Sequence, residues 1–174
     1  MKNSVRILTA ALMIFMIIAI PGCTNRRIPA DLKKTLDQYL GYWNTGEFDG
    51  IEKILAEDFE LIESPEFQPR QGINYFKKLI SNTRITYPDF KIEVNEMLYE
   101  KNKVALIWTV TGTHKGPGEI APTGRTINGK GISVIHFKNG KVKDEWLGNN
   151  NMLWLIQLGF TIVPPVAETP AENK

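Results

Sequence analysis

Few side chains in this 174-residue chain can move protons near neutral pH: it has two histidines, His114 and His136, and a single cysteine, Cys23. His114 ends the run Lys103 to His114, in which Val104, Leu106, Trp108, Val110 and Gly112 share its phase. A residue in that phase shares one face of a strand with apolar neighbours. Glu145 precedes Trp146 in a second run, Lys141 to Leu147, and Glu119 lies in the stretch Lys115 to Gly124, which holds several glycines and prolines. A carboxylate beside a histidine can supply both halves of general acid–base chemistry. His114 with Glu145, or with Glu119, are therefore the candidate catalytic groups. Each also has a plain structural reading: His114 as a hydrogen-bonded strand-end residue, and Glu145 as an outward group, because one of Glu145 and Trp146 must face out. His136 is in the phase opposite to Ser133 and reads as an exposed or edge residue. No His, Cys, Asp or Glu spacing suits a metal, and no glycine loop suits a phosphate, so no cofactor is expected.

The start of the chain reads as an address. Lys2 and Arg6 precede an apolar run from Ile7 to Ile20, interrupted only by Thr9, which suits a secretory signal and is short for a membrane span. Ile20-Pro21-Gly22-Cys23 follows and resembles a bacterial lipobox, with Cys23 as the lipidated residue. A lone cysteine excludes an intrachain disulfide framework. The expected organisation is a signal peptide over 1–22, a tether over 23–28, one domain over 29–163 and a proline-rich disordered tail over 164–174. Extracytoplasmic placement on a bacterial membrane, through acyl chains on Cys23, follows from that organisation. Lys2 and Arg6 are the only charges in the leader, so the 21 basic residues less these two equal the 19 acidic ones. With no basic run left, nucleic acid is not an expected partner.

The elements that must position the candidate groups are legible in the patterning. Leu32, Leu36, Tyr39, Leu40 and Trp43 recur at helical spacing in Asp31 to Trp43, with Pro29 or Asp31 opening the helix and Asn44-Thr45-Gly46 closing it. Tyr39, Tyr42 and Trp43 read as core or, alternatively, as a ligand-binding stripe, and Asn44 as a cap or a group at a pocket mouth. A second helix is predicted over Phe48 to Ala56, a short strand over Phe59 to Glu63 and a third helix over Ile73 to Thr83. In Phe90 to Glu100, the residues Phe90, Ile92, Val94 and Leu98 share a phase, with Glu96 as the exception. Thr126 to Lys138 and Lys141 to Leu147 flank Asn139-Gly140, a strong hairpin signal because both residues accept positive φ. The stretch Lys115 to Gly124 is a long connection or a lid.

Several segments together resemble the SnoaL-like polyketide and ester cyclases of the nuclear-transport-factor-2-like superfamily. They are Gly112-Thr113-His114, Ala121-Pro122-Thr123-Gly124, Pro88-Asp89-Phe90, Asn139-Gly140-Lys141-Val142, Glu145-Trp146 and Gln157-Leu158-Gly159, at the expected separations. The resemblance implies an α+β cone: three N-terminal helices on a curved, mostly antiparallel sheet, with a short C-terminal helix. In polyketide-cyclase members it also implies an aldol closure run by a histidine and an aspartate. Here the matching positions are Ser133 and Leu147, the histidine's polar partner matches Gly131, and a second aspartate common in relatives matches Asn150. Three readings follow. The cone is a binding module for a small apolar or polyketide-like molecule, lined by Trp108, Val110, Trp146, Leu147 and Phe137 or Val134, with Asn44, Ser133 and Asn150 as neutral polar groups. Alternatively it is a cyclase, isomerase or hydrolase with rearranged groups, or an interaction module that pairs as a homodimer across its open sheet face.

Overall fold

The computed structural model describes residues 27–63 and 68–163; Cys23, the leader and the tail over 164–174 lie outside them. Helix α1 spans Ala30–Thr45, with Pro29 at its N-cap, Asp31 in its first turn, and Gly46 at its end with φ 73°. A left-handed residue there lets the Gly46 amide donate to the Tyr42 carbonyl. Its inward face carries Leu36 and Tyr39.

The second helix is shorter than its periodicity predicts. Helix α2 is a single turn, Ile51–Ile54, after which Leu55 is extended and begins strand β1, Leu55–Ile62. Strand β6 decides this boundary, because Leu55 pairs with Val142 and Leu61 with Glu145 in parallel register. Leu55, Phe59 and Leu61 are fully buried there, and that burial outweighs local helix propensity. A two-residue strand β2, Arg70–Gln71, pairs antiparallel with β1. Helix α3 continues to Thr86, past the predicted end at Thr83.

Four long strands follow: β3 Lys91–Glu100, β4 Lys103–Thr113, β5 Thr126–Lys138 and β6 Lys141–Asn149, before helix α4, Asn151–Leu158. The sheet order is β2-β1-β6-β5-β4-β3, with only the β1–β6 pair parallel. Asn139 and Gly140 form the β5–β6 turn with φ 52° and 77°, the conformation in which Asn-Gly follows strand twist. Strand β4 alternates as its sequence predicts, with Val104, Leu106, Trp108 and Val110 buried. Strand β3 does not. A bulge between Val94 and Glu96 switches its phase, so Met97 and Tyr99 turn inward and Leu98 is 68% exposed. Glu96 breaks the sequence alternation because the backbone breaks there.

Helices α1 and α3 cover the concave face of the sheet. Between them, Phe76 stacks on Tyr39 at 5.1 Å and meets Phe59 and Trp43 edge-on at 5.3 and 5.6 Å. Two devices hold the open end. The stretch 115–124 is tied to α3, with the Lys115 and Gly116 amides donating to the Thr86 carbonyl at 3.1 and 3.0 Å. Helix α4 is hung on β5 by Gln157, whose side-chain amide accepts from Asn128 N at 2.6 Å and donates to Asn128 O at 2.9 Å.

Candidate functional site

A cavity of about 170 Å³ opens between the sheet and the helices. Strands β4, β5 and β6 place Leu106, Trp108, Val110, Ser133, Glu145, Leu147 and Asn149 on it, α1 adds Leu40 and Trp43, and α4 adds Trp154. The lining contains two carboxyl groups, Glu63 and Glu145, and no lysine, arginine or histidine among the described residues. Glu63 pairs with Arg70 at 3.5 Å and is partly exposed. Glu145 is different, being 6% exposed with no cationic partner among the described residues.

A buried carboxyl group needs donors. Tyr39, fully buried on α1, donates its hydroxyl to Glu145 Oε2. Ser133 acts on the same carboxyl group from β5, and its Oγ accepts from Trp108 Nε1 at 2.8 Å. Burial pushes Glu145 above its ordinary carboxylate range, while Ser133 and Tyr39 pull it back toward the ionised form. Burial, followed by the charge of Glu145, holds the Tyr39 phenol well above its ordinary range, so it stays a donor. The result is a chain of hydrogen bonds ending on one titratable group inside an apolar wall.

The other sequence candidates divide sharply. Trp108, Val110, Ser133 and Leu147 line the cavity, and Ser133 and Leu147 are direct cross-strand partners. Trp146 does not line it; β6 alternates, so with Glu145 inward Trp146 is 45% exposed on the outer face beside Val134. Phe137 is buried in the core, not along this cavity. Asn150 is also elsewhere, capping α4 by accepting from Leu153 N at 2.9 Å, and Asn149 faces the cavity in its place. Asn44 grips the backbone of Ile92, accepting from its N at 2.8 Å and donating to its O at 3.1 Å, which pins α1 to β3.

His114 and Glu145 are not brought together. Glu145 pairs with Ile135, and Ile135 with Val104. His114 lies ten residues further along, roughly 30 Å of strand at about 3.3 Å per residue. The His114 ring is 1% exposed and its Nδ1 meets Thr123 N and Oγ1 at 3.2 and 3.1 Å, anchoring the base of the 115–124 loop. Glu119 is on the exposed part of that loop. His136 bonds Asp144 at 2.6 Å, half-buried and away from the cavity lining.

Sequence reasoning passed over Tyr87, Asn149 and Trp154, and it offered Tyr39 as core or ligand stripe without its bond to Glu145. Tyr39 sits at core spacing among apolar residues, and only the need of a buried phenol for an acceptor hints at its second role. Trp154 Nε1 donates to Tyr87 Oη at 2.9 Å, joining α4 to the end of α3 across the cavity mouth. Among the described residues no group of three or more His, Cys, Asp or Glu is placed to hold a metal ion.

The profile of the SnoaL-like polyketide cyclase family matches residues 33–158. AclR from Streptomyces galilaeus, provisionally called a hydroxylase, is 28% identical over 78% of this chain and 85% of its own, with a TM-score of 0.65. A provisionally assigned polyketide cyclase from Bacillus cereus is 25% identical over 74% and 80% of the two chains, with a TM-score of 0.63. A SnoaL-like protein from Jannaschia shares the fold at 16% identity, with a TM-score of 0.67 over 80% of this chain and 99% of its own. No curated protein sequence matches the chain. With its nuclear-transport-factor-2-like architecture and a matching profile over most of its length, this chain belongs to the SnoaL-like polyketide cyclase family.

Proposed function

We propose that the cone binds a compact, largely apolar, uncharged molecule bearing a carbonyl or hydroxyl oxygen, of the polyketide-like kind that the relatives' names suggest. The observation that carries this reading is Glu145: one buried carboxyl group in an apolar cavity with no basic residue in its lining. An anionic ligand would meet two carboxyl groups and no cation there, whereas a neutral oxygen finds hydrogen-bonding partners such as Ser133 and Asn149 in an otherwise apolar wall. The family's histidine and aspartate positions, matched by counting to Ser133 and Leu147, carry no acid–base pair. This supports binding over aldol closure of the familiar style.

Native mass spectrometry of protein purified without added ligand tests the reading. The expected result is a co-purifying neutral molecule, lost on Leu147→Trp, which fills the cavity. Wild type with neither a bound molecule nor saturable uptake of apolar ketones or phenols overturns it.

We also propose that the domain is tethered outside the cytoplasm through Cys23, on the strength of that cysteine's place after the apolar run 7–20. Among the described residues no helix is long and apolar enough to cross a membrane. Pairing into a homodimer is favoured by the outer sheet face, where Leu98, Ile107, Ile132 and Trp146 are exposed together.

A further inference from the structure

Helix α4 turns an apolar side to solvent. Its inward side carries Trp154, which lines the cavity, Gln157, which holds Asn128, and Leu158, which is buried. The outward side carries Met152, Leu153, Leu155 and Ile156, all of them exposed. A helix on a water-covered surface normally places charged or polar residues there. This chain has no charged residue anywhere from Trp146 to Ala167. The apolar surface also continues past the helix. Gly159, at φ 102°, ends α4 with its amide donating to Ile156 O, and the Phe160 amide donates to Leu155 O. Phe160, Ile162 and Val163 then follow, again exposed.

Size and charge together indicate what covers this surface. The outer face of α4 is about 12 Å long and 10 Å wide. Even with residues 160–163 added, it falls well short of the ~800 Å² that each partner gives a stable protein interface. Both ends of the helix are basic. Lys130 borders the same shallow groove as Asn150 at the start of α4. Arg125 lies against the other end, where a Cβ built on Gly159 would fall 3.0 Å from the guanidinium carbon. Neither forms an ion pair among the described residues. A second copy laying its own α4 on this one would bring cationic ends onto cationic ends. A bilayer meets no such conflict, because its hydrocarbon accepts the apolar side chains and its anionic headgroups accept the basic ones.

We infer that α4 and the residues up to Val163 form a docking surface for an anionic phospholipid bilayer, with the helix lying flat at the headgroup level. It lies on the membrane and does not cross it, since among the described residues no helix is long and apolar enough to do so. The surface uses other residues than the anchor proposed at Cys23 and does not depend on the identity of the cavity's ligand. Trp154 of the same helix reaches across the cavity mouth to Tyr87, so docking sets that mouth against the lipid.

The test uses the full chain in vesicles of equal parts phosphatidylcholine and phosphatidylglycerol, with a photoreactive diazirine in one acyl chain. Crosslinked peptides are mapped by mass spectrometry. Crosslinks are expected within residues 152–163, while crosslinks within residues 1–26 report the proposed anchor separately. Met152→Glu combined with Ile156→Glu should remove the first set and leave the second, with circular dichroism to check folding. Arg125→Gln and Lys130→Gln leave the apolar face intact, and each should lower the docked-to-free ratio by about fivefold. Crosslinks in 1–26 with none in 152–163 overturn the inference and leave the anchor standing. Crosslinks confined to the outer sheet face, at Leu98 and Ile107, also overturn it, as does capture of a second copy through 152–163 in place of lipid. An equal yield in vesicles of phosphatidylcholine alone overturns it too, and no crosslinks anywhere overturn both the docking surface and the anchor.

Discussion

The indole of Trp108 occupies the space that a side chain at position 131 would need: a Cβ built on Gly131 falls 2.1 Å from ring carbon Cη2 and 2.7 Å from the Gly148 carbonyl oxygen. Trp108 and Gly131 are cross-strand partners, and the missing side chain gives the ring its place beside Ser133 Oγ.

Gly131→Ala should therefore displace Trp108 and break its bond to Ser133. Overpacking of a tight contact typically costs about 1–3 kcal/mol. A lowered melting temperature with a red-shifted tryptophan emission is the expected outcome, and unchanged emission would count against the contact.

Glu145 makes stability depend on pH with a definite sign. Its carboxyl group is raised above the ordinary 4.5, so the folded protein holds this proton more tightly than the unfolded chain. That contribution is fully present below about pH 4.5 and is lost as pH rises through the raised value. Glu145→Gln does not titrate, so the melting temperature of wild type relative to this variant should fall as pH rises from 4.5. Tyr39→Phe should cost about 1–3 kcal/mol by removing a donor from a buried acceptor.

His114 is expected to matter for stability and not for the cavity. His114→Asn loses a buried ring and rearranges its bonds to Thr123, at a cost of about 1–3 kcal/mol. Uptake of apolar ketones or phenols should be unchanged at temperatures well below melting. A large loss of affinity in a folded variant would return His114 to the site.

Trp146 tests the outer face. Wild type should sediment as a dimer, and Trp146→Lys, which puts a charge on that face, as a monomer with ligand uptake intact. A monomeric wild type removes the homodimer reading.

Cys23→Ser tests the anchor. The variant should accumulate as an unprocessed precursor without acyl chains, measured by mass and by membrane fractionation. Normal processing and fractionation would show that the cysteine is not the lipidated residue.

Much of this architecture is written in short-range pattern. The alternation of β4, the Asn139-Gly140 turn and the periodicity of α1 and α3 each depend on neighbours a few residues away, and such signals survive in a bare sequence. The family motifs added the order of the elements. Counting from two of those motifs placed positions 133 and 147 together on the cavity, where they pair across β5 and β6.

What local pattern leaves open is phase. Glu145 and Trp146 are adjacent, and a period of two says only that they face opposite ways. The choice is made by the parallel pairing of β6 with β1, the bulge between His136 and Phe137, and the hydroxyl of Tyr39, which lies 106 residues away in sequence. The same holds for β3, where one bulge reverses the faces, and for Leu55, pulled from a helical pattern into a strand by Val142. His114 and Glu145 both have the right chemistry, but ten residues of strand separate their levels in the sheet. The sequence by itself determined which segments alternate and where the chain turns, because those preferences are local. Only the tertiary structure decided which buried groups meet, because a carboxyl group loses its water when distant segments close over it, and the same closure brings its donors within reach.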